Sequence, residues 1–399
     1  MTGVKSFSVS GYGPERPRWT RLFARDSVTR RLDWPILLAA LALSTIGSLL
    51  VYSATRNRTT INKGDPHYFL VRHLMNLGIG FVLMIGTIWL GHRALRNAVP
   101  VLYGLSLLGV LLVLTPLGAT INGNRNWIVL GGGFSLQPSE FVKVSIILGM
   151  AMLLSAQVDT GDRRYPDSRT VIQALGLAAV PIMVVMMMPD LGSTMVMTVT
   201  ILGVLLASGA SNRWVFGLLA VGVLGAVAVW QLHLLDQYQI NRFAAFADPN
   251  LDPAGVGYNT NQARIAIGSG GLTGQGLFHG AQTTGQFVPE QQTDFVFTVA
   301  GEELGFVGGG LIIALIGVIL WRACRIARES TELYSTIVAA GIVAWFSFQA
   351  FENIGMALGI MPVAGIPLPF VSYGGSSMFA VWVAVGLLQS IKVQRPVQA

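Results

Sequence analysis

The 399-residue chain is 52% hydrophobic and 11% charged, with a net charge of +7. Soluble domains carry about 25% charged residues, so the composition excludes one and indicates an integral membrane protein. The lone cysteine, Cys324, excludes an intrachain disulfide or a cysteine-built metal site. A basic excess is also a nucleic-acid signature, but membrane topology explains it better here and no nucleic-acid partner is expected.

A basic tail, residues 1–33, leads into ten apolar segments near the ~20-residue length that a span needs. They are 35–54, 71–91, 98–117, 138–156, 171–188, 191–210, 214–232, 295–320, 334–358 and 378–391. The first reads as an uncleaved signal anchor. The expected fold is an all-α integral membrane protein with a ten-span domain at 34–392 and a short closing tail at 393–399. An even count puts both termini on one side. Of the 26 basic residues, 18 fall on the side of the tails and 7 opposite, with Lys143 inside a span. The positive-inside rule therefore places both termini in the cytoplasm.

Two outer connections are long. One, 118–137, contains NGNRNWIVLGGG. The other, 233–293, is the large loop between spans seven and eight, and loops of that length are usually functional. Its residues 263–267 read as a re-entrant or interfacial segment. Its glycine run GSGGLTGQG, 268–276, looks like a phosphate loop but lacks the strand before and helix after that nucleotide binding requires. A lipid-phosphate contact and a flexible turn both remain open. Arg242 lies in this loop, where solvated charge is the default.

The chemistry concentrates at GQFVPEQQTDFVFTVAGEELG, 285–305. Ionisable groups at a span are costly and mark function. Asp294, at the outer start of span eight, is either a helix cap or a catalytic carboxylate. Eight residues at about 100° each put Glu302 roughly 80° round from it, so the two are able to line one cavity. Glu303 falls on the opposite face, which suits packing or a partner. In QPSEFVK, Glu140 and Lys143 share a helix face. They form an interfacial ion pair with a snorkelling lysine, or Lys143 with Arg125 offers positive charge to a diphosphate near a helix N-terminus. Asp190 reads as a cap. Trp127 is an interfacial anchor or a stacking platform for a sugar. The stretch NIGMALGIMPVAGIPLPFVSYGGSS, 353–377, has three prolines within eight residues. Broken backbone at membrane depth is tolerated where it lines a cavity, so this segment is expected to wall the cavity of Asp294, with Ser372 of its Ser-Tyr-Gly-Gly turn as a candidate substrate contact. The histidines show no ligand spacing.

These motifs, in this order, resemble the SEDS proteins (shape, elongation, division and sporulation), the family of RodA and FtsW. The resemblance rests on NWIVLG and FSLQPSEFVK, PDLGS, RFAAFADP, GYNTNQARIAIGSGGLTGQG, VPEQQTDFVFTVAGEELGFVG and the proline-rich segment. It implies a peptidoglycan glycosyltransferase that polymerises lipid II at the outer face, partnered by a class B penicillin-binding protein, and it looks closer to RodA than to FtsW. The family's essential aspartate falls on Asp294, and its QPSE-x-x-K motif on Glu140 and Lys143. Asn126 stands where the family usually has Arg, with Arg125 beside it to take over, and PDLGS replaces PDLGT. The implied mechanism has Asp294 as general base for the acceptor 4-OH, with Lys143, Arg125 and Arg242 stabilising the departing diphosphate. The resemblance fixes no cofactor; a divalent cation, magnesium or manganese, would suit this chemistry, but no ligand set for it is readable. A lipid II flippase and a non-catalytic scaffold are the competing classes.

Overall fold

A computed structural model describes residues 28–58, 64–121, 124–131, 134–188, 190–231, 240 and 256–394. Arg242 lies outside them. The helices are α1 (Trp34–Thr55), α2 (Tyr68–Leu90), α3 (His92–Leu114), α4 (Pro138–Asp159), α5 (Ser168–Met186), α6 (Leu191–Ala207), α7 (Asn212–Gln231), α8 (Val256–Ser269), α9 (Ala281–Gly285), α10 (Val296–Arg328), α11 (Leu333–Leu358) and α12 (Gly375–Val393). Among the described residues, eight of these are long and apolar enough to cross a membrane: α1 to α5 and α10 to α12. The expected ten segments all fall on helices. Two of them, α6 and the apolar part of α7, are shorter than a full crossing by that measure.

Local chemistry sets several boundaries. Pro138 opens α4, where its missing N–H costs nothing. The Asp167 and Asp190 side chains accept from the N–H groups of Thr170 and Ser193, capping α5 and α6. The centre of the bundle is α4, α11 and α12, which bury Trp345, Trp382 and the body of Tyr334. By contrast α2, α3 and α5 keep most of their apolar surface outward, as lipid-facing helices do. At one end of the bundle the two described chain ends meet. Arg31 Nη1 donates to the Val393 carbonyl (3.1 Å), and the Asp33 N–H donates to Gln389 Oε1 (2.7 Å). Arg322 clamps the Asp33 carboxylate with contacts of 2.6 to 3.2 Å.

The all-α expectation misses a small sheet. The connection 118–137 folds into β1 (Gly118–Ile121), β2 (Asn124–Gly131) and β3 (Phe134–Leu136), an antiparallel meander in that order, with Ala119 opposite Trp127 and Ile128 opposite Leu136. β-Branched residues between glycine-rich turns favour this pairing.

The described part of the large loop is not a free excursion. Helix α8 packs on α10 and α11, and the glycine run that follows enters a break in α10. At Gly305 the backbone has φ 67° and ψ −165°. An unbroken helix would bond Phe306 and Val307 N–H to the Glu302 and Glu303 carbonyls. Here those carbonyls accept from Gln275 N–H (2.9 Å) and Gly276 N–H (3.1 Å), while Phe306 and Val307 donate to Gly271 O (2.9 Å) and Leu272 O (3.1 Å). The glycine run is therefore tied to α10 rather than left as a free turn. A Cβ on Gly305 would lie 2.3 Å from Gly274 N. Gly305→Ala should destabilise the protein by about 3 kcal/mol or more, since a strained φ and a backbone clash coincide. The thermal midpoint in detergent reads this directly.

Candidate active site

A cavity of about 400 Å³ opens among the start of α2, the sheet, the start of α6, the turn before α10 and the proline-rich segment before α12. Asp294, Glu290, Trp127, Asp190 and Arg72 all line it. The proline-rich segment walls the cavity of Asp294, through Ala364, Gly365, Pro367 and Tyr373.

The turn that presents Asp294 is built around Glu290. This residue has φ 50°, unusual for a side chain with a Cβ. Its carbonyl accepts from the N–H groups of Thr293, Asp294 and Phe295 at 3.1 to 3.2 Å. Its carboxylate accepts from Gln292 Nε2 (3.1 Å) and Thr293 Oγ1 (3.2 Å). Three successive carbonyls then bind the far wall. Gln292 O accepts from Tyr373 N–H (2.8 Å), Thr293 O from Ser372 Oγ (2.5 Å) and Asp294 O from Asn353 Nδ2 (2.7 Å). Asn353 Nδ2 also donates to Ile366 O (2.8 Å). Gly365 has φ 70°, and a Cβ there would touch Asp294 Oδ2 at 3.4 Å. The half-buried Asp294 carboxyl is thus held from its backbone and given room at its tip.

The other predicted residues divide. Trp127, on β2, faces the cavity. Ser372 is a stitch: its oxygen also accepts from Leu368 N–H (2.8 Å), so both roles of the hydroxyl are used inside the wall. Lys143 does not snorkel. It is 1% exposed, 2.8 Å from Glu140 Oε1 and 3.1 Å from Gln349 Oε1, and it lies over the Trp345 ring. The pair is buried below the cavity, and Gln349 Nε2 carries the network to the wall at Pro367 O (2.8 Å). Arg125 is exposed and donates to Thr115 O (2.6 Å), away from the cavity. Its neighbour Asn126 takes the inward position and donates to Asp190 Oδ2 (3.1 Å). Glu302 does not share the cavity. Its carboxylate receives Gln282 N–H (2.7 Å), Thr283 N–H (2.9 Å) and Thr283 Oγ1 (2.7 Å) at the start of α9. The angular argument fails because residues 290–295 form a turn, so helical phase does not run from Asp294 to Glu302.

Arg72, Asn76 and Tyr373 also line the cavity and were not singled out. The available signal was YFLVRH, an arginine inside the first turns of a span. Arg72 lies 4.3 Å over the Tyr68 ring and hydrogen-bonds the Tyr373 hydroxyl. Burial pushes the Tyr373 phenol above its ordinary value, against the opposing pull of Arg72. Among the described residues, no group of three His, Cys, Asp or Glu is placed to hold a metal ion.

Residues 33–396 match the family profile of FtsW, RodA and SpoVE, described as "Cell cycle protein". The chain belongs to this family. The chain is 37% identical over 361 residues to stage V sporulation protein E of Bacillus subtilis, covering 90% of this chain and 96% of that one. Peptidoglycan glycosyltransferase MrdB of Escherichia coli K12 is 34% identical over 364 residues, 91% and 94% of the two chains. Among solved structures, a chain from a peptidoglycan synthase complex that coordinates polymerization and crosslinking is 30% identical, with a TM-score of 0.74 over 90% of this chain and 97% of that one. The rod shape determining protein RodA of Thermus thermophilus is 28% identical, with a TM-score of 0.65 over 90% and 96%. In this FtsW/RodA/SpoVE member, Asn353→Leu should strand the Asp294 and Ile366 carbonyls, at about 1–3 kcal/mol for each buried unpaired group. A fall in thermal midpoint, with a larger fall in enzymatic rate, is the expected pair of measurements.

Proposed function

We propose that this chain is a peptidoglycan glycosyltransferase that polymerises lipid II, with Asp294 as its general base. The observation that carries this reading is the placement of Asp294. One carboxylate, fixed through three successive backbone carbonyls, enters a 400 Å³ cavity at one end of a membrane bundle. Curated relatives named peptidoglycan glycosyltransferases support the activity.

The acceptor's 4-OH is a weak nucleophile at neutral pH. Asp294 removes its proton as the oxygen attacks C1 of the donor's N-acetylmuramic acid. The new C1–O4 bond forms as the bond from C1 to the phosphate oxygen breaks. The electron pair leaves with undecaprenyl diphosphate, and inversion gives a β-1,4 link. Trp127 offers a flat face to a sugar ring. Glu140 and Lys143 act from below, through Gln349 and Pro367, by holding the wall. The partner is a class B penicillin-binding protein, and the subtype is RodA-like, serving elongation and shape. The relative from a peptidoglycan synthase complex supports such a pairing.

The cavity faces outward and both termini are cytoplasmic in this reading. The meeting of Arg31 with Val393 and of Asp33 with Gln389 favours an even number of crossings. Counting α6 and α7 as crossings makes ten. With Cys324→Ser as background, a membrane-impermeant maleimide should label Asp65→Cys in intact cells. It should reach Thr331→Cys only after permeabilisation.

Purified protein with lipid II in detergent, supplemented with its transpeptidase partner, tests the chemistry where no flipping is possible. Asp294→Asn should reduce polymer by about 10²–10⁴-fold, the usual worth of a general base, with an unchanged thermal midpoint. Absence of polymer from the unsubstituted protein would sink the transferase reading in favour of a flippase or scaffold.

A further inference from the structure

Charge in the cavity is divided. Asp190, Glu290 and Asp294 bring carboxylates to it, and Arg72 is the one basic side chain among the described residues that line it. Of the cations first expected to meet a diphosphate, Arg242 lies outside the described residues and the other two are committed elsewhere. Lys143 is buried against Glu140 and Gln349, and Arg125 is turned to Thr115. A diphosphate placed among the carboxylates would be repelled. Among the described residues that line the cavity, the α2 side, at Arg72, offers an anion a favourable seat.

That seat is built. The Arg72 guanidinium lies on the Tyr68 ring and hydrogen-bonds Tyr373. Tyr373 is fixed in turn by the edge of Phe69, with ring centroids 5.1 Å apart, and by its own N–H on Gln292 O (2.8 Å). Gln292 is two residues from Asp294, so one short run of backbone connects the cationic seat to the general base. A guanidinium is planar and meets phosphate oxygens in pairs, and a stacked one loses less freedom when it does so.

We propose that Arg72 is the residue that binds the diphosphate of the lipid-linked donor, with Tyr373 positioning its guanidinium. This rests on the glycosyltransferase reading and deepens it. It orients the substrate, with the diphosphate at the α2 side and the reacting sugar carbons toward Asp294.

Two soluble probes separate the anion from the lipid tail: farnesyl diphosphate and farnesol. Binding of each to the full-length protein in detergent is measured for the unsubstituted chain, Arg72→Ala, Arg72→Lys, Tyr373→Phe and Asp294→Asn. Arg72→Ala should weaken farnesyl diphosphate about tenfold or more, the worth of hydrogen bonds to a charged group, and leave farnesol unchanged. Arg72→Lys should recover part of the loss, and Asp294→Asn should bind both probes normally. Tyr373→Phe should raise KM for lipid II by less than Arg72→Ala does, with kcat nearly kept. Farnesyl diphosphate binding that is unchanged in Arg72→Ala overturns the proposal, as does an equal loss of farnesol, which would mark a structural role. An unsubstituted protein that binds farnesyl diphosphate through Arg72 yet makes no polymer leaves the anion seat standing and refutes the reaction instead.

Discussion

The site depends on one piece of backbone stitching. The carbonyls of Gln292, Thr293 and Asp294 point in sequence at the proline-rich wall and each finds a donor there: Tyr373 N–H, Ser372 Oγ and Asn353 Nδ2. A turn with three unbonded carbonyls would be costly away from water. The same three bonds therefore satisfy the turn, close the wall and fix the carboxylate that projects from the last of these residues. Proline supplies no N–H, which explains why side chains of Ser372 and Asn353 do much of the donating.

A second polar column lies beneath the first. Glu140, Lys143 and Gln349 form a chain of hydrogen bonds whose upper end is Pro367 O. A buried ion pair is weak evidence for stability, because desolvation offsets its attraction. Its value here is geometric, since it ends on the wall that faces Asp294. Glu140 uses one oxygen on Lys143 and keeps the other buried without a hydrogen bond among the described residues, so removing Lys143 would leave its charge at full desolvation cost.

Much of this was legible in the sequence, and the misses have physical reasons. Apolar length located the helices because lipid and core both demand it. Asp294 stood out because a carboxylate at a span is expensive, and its motif made the case specific. Glu302 was misplaced because helical phase was carried across a turn. Arg72 does not stand out in the sequence, because an arginine at the outer end of a span already has a topological explanation. Lys143 was expected near water, since nothing in QPSEFVK announces Gln349, a partner 206 residues away. The sheet at 118–136 was missed because NWIVL is apolar enough to pass for loop lining beside a span, and its pairing depends on glycine turns that admit many conformations.

The exchange at Gly305 bears on how the chain is assembled. Four backbone groups of α10 have partners only when residues 271–276 are in place, and the same is true in reverse for that segment. Neither piece completes its own hydrogen bonding, so the two acquire structure together. The segment 271–276 precedes α10 in the chain and emerges first during synthesis, so the strap is already available when the helix that needs it appears. Amide protons at Gln275, Gly276, Phe306 and Val307 are accordingly held by one shared set of hydrogen bonds between the two pieces.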